Sequence, residues 1–267
     1  MILLTVALLA QVRSEGVILS QRLRHVRMMA QVHRVWDPAS GKQMAIVPYV
    51  LANDFGPPSV RDSATFTVEL RKVEVPRSER NMTTTQATAQ LVTLAPRMSG
   101  AFYAPLPSAP TKWEVVAREK GRNVSTRLTL DVAPMTEGSV TISDVVIGSE
   151  RQGVAWTPAA EPVSLAPKQI VFGDGPILLN YQIRSEGAHR DLRTQLIITR
   201  VIGDTPDDEQ RLMLTFSGDQ LQVGINQVQR EIDASRLPGS RYRLDVEVFA
   251  KDGTSLGKTT GMLELVR

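Results

Sequence analysis

Arg241-Tyr242-Arg243-Leu244-Asp245-Val246-Glu247-Val248 alternates charged and apolar residues without a break. Successive side chains of a β-strand point to opposite faces. As a strand, the stretch therefore puts Tyr242, Leu244, Val246 and Val248 on one face and only charged groups on the other. Working outward, the same period recurs in Thr65–Leu70 and Arg127–Val132, and Gln195–Val201 and Gln210–Phe216 are further strand candidates. Ser20–His33 alternates through Val26, Met28, Ala30 and Val32 and also reads as a strand. Turn residues separate these runs, as at Pro38–Gly41, Gly56-Pro57-Pro58, Gly173–Pro176, Pro238-Gly239 and Asp252-Gly253. Short strands between frequent turns, with no sustained helical period, predict an all-β chain of antiparallel sandwiches, immunoglobulin- or fibronectin-like.

The 267 residues suit two such domains. A Pro-containing turn, an aromatic-led strand, a hairpin and a closing strand occur twice. The first copy runs Leu106-Pro107, Trp113–Ala117, Gly121, Leu128–Leu130, and the second runs Leu237–Gly239, Tyr242–Phe249, Asp252-Gly253, Leu263–Leu265. The boundary falls near Ala133–Gly138, giving tandem β-sandwich domains over 16–134 and 139–267. Phe66, Trp113, Tyr181, Tyr242 and Phe249 are the expected aromatic core. There is no cysteine, so disulfides, thiolate metal sites and cysteine nucleophiles are excluded.

Lys and Arg total 31 against 28 Asp and Glu, a net charge of +3. That is too weak and too dispersed for a phosphate-binding stripe, so nucleic acid is not an expected partner. The densest basic stretch, Arg13–Arg34, reads as a solvated strand face or a segment after an export signal. Ile2–Ala10 is too short to span a bilayer and has the length of a signal-peptide core, although only Met1 precedes it. Residues 1–15 accordingly read as a truncated signal peptide, with a first buried strand as the alternative. No other segment is long and apolar enough for an integral membrane span.

Ser139–Ile147, the Pro-rich stretch Pro158–Pro167, Phe172–Ile183 and Leu237–Val248 with Asp252-Gly253 follow one another in an order that resembles the tandem β-sandwich regions of large exported bacterial proteins. Two groups are similar: proteins named for a GWxTD motif, and acidobacterial-type proteins with a von Willebrand factor A-related domain. The resemblance covers roughly Trp36–Arg267. The motifs that define either group are absent, so no functional residue carries over. It implies an exported β-rich protein.

Gly257-Lys258-Thr259-Thr260 matches the end of a phosphate loop, but Asp252 stands where the first glycine belongs and a strand follows, so a hairpin is the better reading. His25, His33 and His189 form no metal-binding pair, and solvent-facing strand or loop positions are expected for them. Asp204–Glu209 lacks the ligand spacing of a calcium loop and reads as a solvated hairpin tip. No Gly-x-Ser-x-Gly appears. Asn81 and Asn123 head short glycosylation matches. Trp36 and Trp156 are the candidate ligand-binding residues, as platforms for sugar rings, with core or interface packing as the alternative. No cofactor and no metal is implied.

The sequence thus predicts a non-catalytic structural or protein-interaction module of an exported bacterial protein, periplasmic or extracellular, with a protein partner in the cell envelope. A carbohydrate-binding sandwich using Trp36 or Trp156 is the alternative, and a hydrolase with an unrecognised site ranks last.

Overall fold

The computed structural model describes residues 26–53, 64–73, 85–91, 97–120, 125–148, 154–156, 163–165, 170–172 and 175–267. The candidate signal peptide, His25, Asn81 and Asn123 lie outside these. The described chain is all-β, with antiparallel sheets and no α-helix. Among the described residues no helix is long and apolar enough to cross a membrane. The chain divides into two compact units: Met1–Val32 with Ile46–Pro134, counting only described residues, and His33–Ala45 with Met135–Arg267.

The first unit contains β1 (Val26–Ala30), the later part of β3 (Gln43–Asn53), β4 (Ala64–Val73), β5 (Thr85–Leu91), β6 (Arg97–Pro105), β7 (Thr111–Glu119) and β8 (Ser125–Val132). One sheet has the order β5-β4-β7-β8, and β3 joins β1 and β6 in another. The alternation in Thr65–Leu70 is realised as expected, since Phe66, Val68 and Leu70 are all buried. Trp113, Val115 and Ala117 of β7 are buried with them, and the Tyr49 and Phe102 rings stack at 5.2 Å.

The second unit takes β2 (His33–Trp36), the start of β3, and β9 (Val140–Ile142), β10 (Val146–Gly148), β11 (Val154–Trp156), β12 (Val163–Leu165), β13 (Ile170–Phe172), β14 (Ile177–Ser185), β15 (His189–Ile202), β16 (Thr205–Leu221), β17 (Gly224–Ile232), β18 (Ser240–Phe249) and β19 (Ser255–Val266). Its sheets run β11-β12-β10-β14-β17, with β9 also on β14, and β13-β19-β18-β15-β16. Only β13 and β19 pair in parallel among the described registers. The inner rows meet in one core: Ile177, Leu179, Tyr181 and Ile183 from one sheet, and Tyr242, Leu244, Val246 and Val248 from the other. The face read from Arg241–Val248 is thus the core face. The Tyr242 hydroxyl donates to the Pro238 carbonyl at 2.7 Å, closing the turn before β18 as a tyrosine corner does. Tyr242→Phe should lower unfolding free energy by about 1 kcal/mol, measured by urea titration, because the buried Tyr242 ring loses the hydrogen bond that closes the turn.

Side chains acting as strand partners fasten β2 into this unit. Ile142 faces Ile183 and Val146 faces Asn180, so the β9–β10 side carries one residue more than β14. The extra residue makes a bulge at Ser143-Asp144-Val145, which turns Asp144 out of the ladder. Its carboxylate accepts from the Arg34 backbone N–H at 2.8 Å, from Nε at 3.0 Å and from a terminal guanidinium nitrogen at 2.6 Å. In return, the Asp144 N–H donates to the Arg34 carbonyl at 3.0 Å. Next to it, the Gln182 carboxamide accepts from the Trp36 N–H at 2.7 Å and donates to the Trp36 carbonyl at 3.0 Å. Gln43 makes the same two-way pairing with the peptide groups of Met135, at 3.0 and 3.2 Å. Each amide stands in for the peptide of an absent neighbouring strand and satisfies backbone groups that burial would otherwise leave unpaired.

Candidate functional site

The second unit is open along one side. β16 ends one sheet and β17 ends the other, and among the described strands neither has a partner on its outer edge. They are consecutive in the chain, joined by Gln222-Val223, so the two edges lie on the same side of the sandwich. Leu214, Phe216, Asp219 and Leu221 of β16 turn inward. The jump from Phe216 to Asp219 breaks period 2 and follows from a bulge: Arg193 faces Ser217 and Leu192 faces Asp219, leaving Gly218 unpaired at φ 82°. Left-handed backbone is open to glycine at no steric cost. The bulge therefore aims a carboxylate between the sheets.

There Asp219 accepts from the buried Thr194 hydroxyl at 2.9 Å and from Arg230 of the opposite sheet at 2.5 Å. The Arg230 guanidinium lies 4.6 Å over the Phe216 ring. Burial opposes its charge, and the Asp219 and Tyr181 oxygens more than offset that cost, raising its pKa. The Tyr181 hydroxyl lies close to Arg230 and Thr194, and burial raises its pKa despite the neighbouring guanidinium. The result is a charge-balanced clasp across the open side. Gly218→Ala should cost about 1 kcal/mol in urea unfolding, all of it backbone strain, since an added Cβ would meet nothing within 4 Å. An unchanged midpoint would mean that the bulge relaxes elsewhere.

The clasp separates two hollows. One, of about 240 Å³, is lined by Ile183, Leu192, Leu221 and Val248 below the polar clasp residues. The other, of about 470 Å³, is lined by Leu212, Leu214, Phe216, Ile232 and Leu237, with Glu231, Asp233 and Arg236 at its mouth. Beside it Leu212 is 36% exposed and Met213 57% exposed.

The sequence-predicted candidates lie elsewhere. Trp36 is 1% exposed and presents no ring face to solvent. Trp156 ends β11 with its backbone opposite Val163, and its side chain lies outside what is described. The structure does not bring the two together in a described site. His33, expected to face solvent, is buried, and burial lowers its pKa to about 4, against an opposing pull from Asp144. The break at Gln31-Val32 shifts the strand phase, so His33 and Val35 point inward in place of Val32. Gly257–Thr260 lies within β19, and Asp204–Glu209 forms the tip and start of the β15–β16 hairpin. Reading Gln210–Phe216 as a strand located β16. The bulge and the opposing Arg230 carry no local signal beyond a Ser-Gly-Asp triplet.

No family model matches the chain, and no curated protein matches it. Among solved structures, a red sea bream transglutaminase is similar over 89% of this chain and 31% of its own, at 10% identity and a TM-score of 0.26. The native conformation of E. coli alpha-2-macroglobulin is similar over 90% of this chain and 16% of its own, at 13% identity and a TM-score of 0.25. The chain spans less than a third of either protein's length.

Proposed function

We propose that this chain is a non-catalytic protein-interaction module of an exported bacterial protein. The observation that supports the reading is β16: a long edge strand that exposes Leu212 and Met213 beside an apolar hollow. Unpaired edge groups are a template for another chain, and natural sandwiches usually blunt or cover them. Here the irregularities sit at the two ends of Arg211–Ser217 and leave that stretch regular. Export rests on the apolar run Ile2–Ala10 and on the resemblance of Ser139–Val248 to exported tandem sandwiches.

The test is photo-cross-linking in a bacterial envelope fraction, with the reactive residue at Met213 and a control at Thr254 in the exposed β18–β19 hairpin. The expected result is one protein captured from Met213 and not from Thr254, which then binds the chain when both are purified. Capture from neither position, or equally from both, would overturn the reading. A glycan array with the full chain separates the carbohydrate alternative, which requires binding that a Trp156→Ala variant loses.

A further inference from the structure

We infer that the gap between β16 and β17 receives a β-strand donated by a partner protein, with apolar residues at alternate positions and a basic residue at the end nearest Leu212. This rests on the protein-interaction reading above and names the partner's chemistry. Leu212, Leu214 and Phe216 form an inward row with strand period, spanning roughly 13 Å at ~3.4 Å per residue. A strand added beside β16 would carry its own inward row across from these three, and those side chains would occupy the hollow of about 470 Å³. Its backbone would take up the outer-edge groups of Arg211–Ser217.

The charges at the mouth give the added strand its polarity. At the mouth of the hollow Glu231 and Asp233 are exposed against Arg236. Carboxylates outnumber guanidiniums there, so a Lys or Arg is favoured at that end of the incoming strand. At the far end the clasp is already neutral, because Arg230 is matched by Asp219. The same charges disfavour a second copy of this chain. Antiparallel self-pairing centred on Leu214 would set the acidic mouth of each copy against the other's charge-balanced Asp219–Arg230 end and leave its excess charge unmatched, so a strand carrying its own basic residue is favoured over a second copy.

The probe is a synthetic peptide alternating valine and threonine with two lysines at one end. One control has the same composition with the valines contiguous, and another has glutamates in place of the lysines. Titrated against the full chain, the alternating lysine peptide should bind at least ~10-fold more tightly than either control and weaken as salt screens the mouth. Amide exchange should slow along Arg211–Ser217. The double variant Glu231→Lys/Asp233→Lys, at exposed positions, should reverse the preference between lysine and glutamate peptides. Leu212→Ser, at a rim side chain already 36% exposed, should weaken binding ~10-fold with a urea midpoint moved no further than an ordinary surface substitution moves it.

Protection appearing elsewhere, or no response to the charge swap, overturns the inference. So does a concentration-dependent dimer that excludes the peptide, which would make a second copy the occupant. If Met213 still cross-links one partner while the peptides fail, the donated-strand inference falls and the interaction reading stands. If both fail, both fall.

Discussion

Replacing Asp144 by alanine is expected to lower the unfolding free energy by about 2–3 kcal/mol. The carboxylate holds the Arg34 guanidinium through two of its nitrogens and also accepts the Arg34 backbone N–H. Charge-assisted hydrogen bonds contribute about 1.5–3 kcal/mol each when isolated, and breaking one side of a buried pair costs about 3–5 kcal/mol. The lower figure applies because the Arg34 side chain is 36% exposed and regains water on release. Arg34→Lys should cost less, since lysine keeps the charge and loses the planar fork. The measurement is a urea midpoint together with amide exchange at Arg34–Trp36, which should speed up in Asp144→Ala. A change within ~0.5 kcal/mol, the range of ordinary surface substitutions, would refute a fastening role.

Acid should weaken the protein through His33. Its pKa is lowered to about 4 from an ordinary 6.5, first by burial, with Asp144 pulling the other way. Above pH 6.5 the ring is neutral folded and unfolded, so it contributes no pH dependence. Below that, the unfolded chain takes up a proton that the folded chain excludes, and stability falls as pH drops toward 4. One pKa unit corresponds to ~1.36 kcal/mol, so the loss accumulates to roughly 3 kcal/mol and then levels off. His33→Phe should remove this slope, giving a profile flatter than wild type between pH 6.5 and 4. The check is a series of urea titrations across that window. Parallel profiles for the two proteins would show that other groups carry the acid sensitivity.

The fold was legible wherever one sheet face is buried and the other wet. Tyr242–Val248 and Phe66–Leu70 announce themselves because burial and period 2 select the same residues. Three things were hidden. Gln182 and Trp36 lie 146 positions apart, and a glutamine replacing a strand's peptide leaves no periodic trace. The phase slip at Gln31-Val32 sits inside an unbroken alternation of letters, so His33 reads as facing the wrong way. The bulge at Gly218 does the same to Asp219, and the partner that gives this carboxylate meaning belongs to the other sheet. Trp36 shows the limit of reading aromatics from sequence: next to a turn it looks exposed, but the Gln182 clamp holds its backbone in a buried position.

The clamps also set an order of events during synthesis. Arg34 leaves the ribosome 110 residues before Asp144, and Trp36 leaves 146 residues before Gln182. At ~5–20 residues per second, the β2 segment waits roughly 7–30 s for the groups that fix it. Through that interval β2 has only β3, which follows it in the chain, as a strand partner, and the backbone groups of Arg34 and Trp36 on its other edge stay with water until Asp144 and then Gln182 arrive.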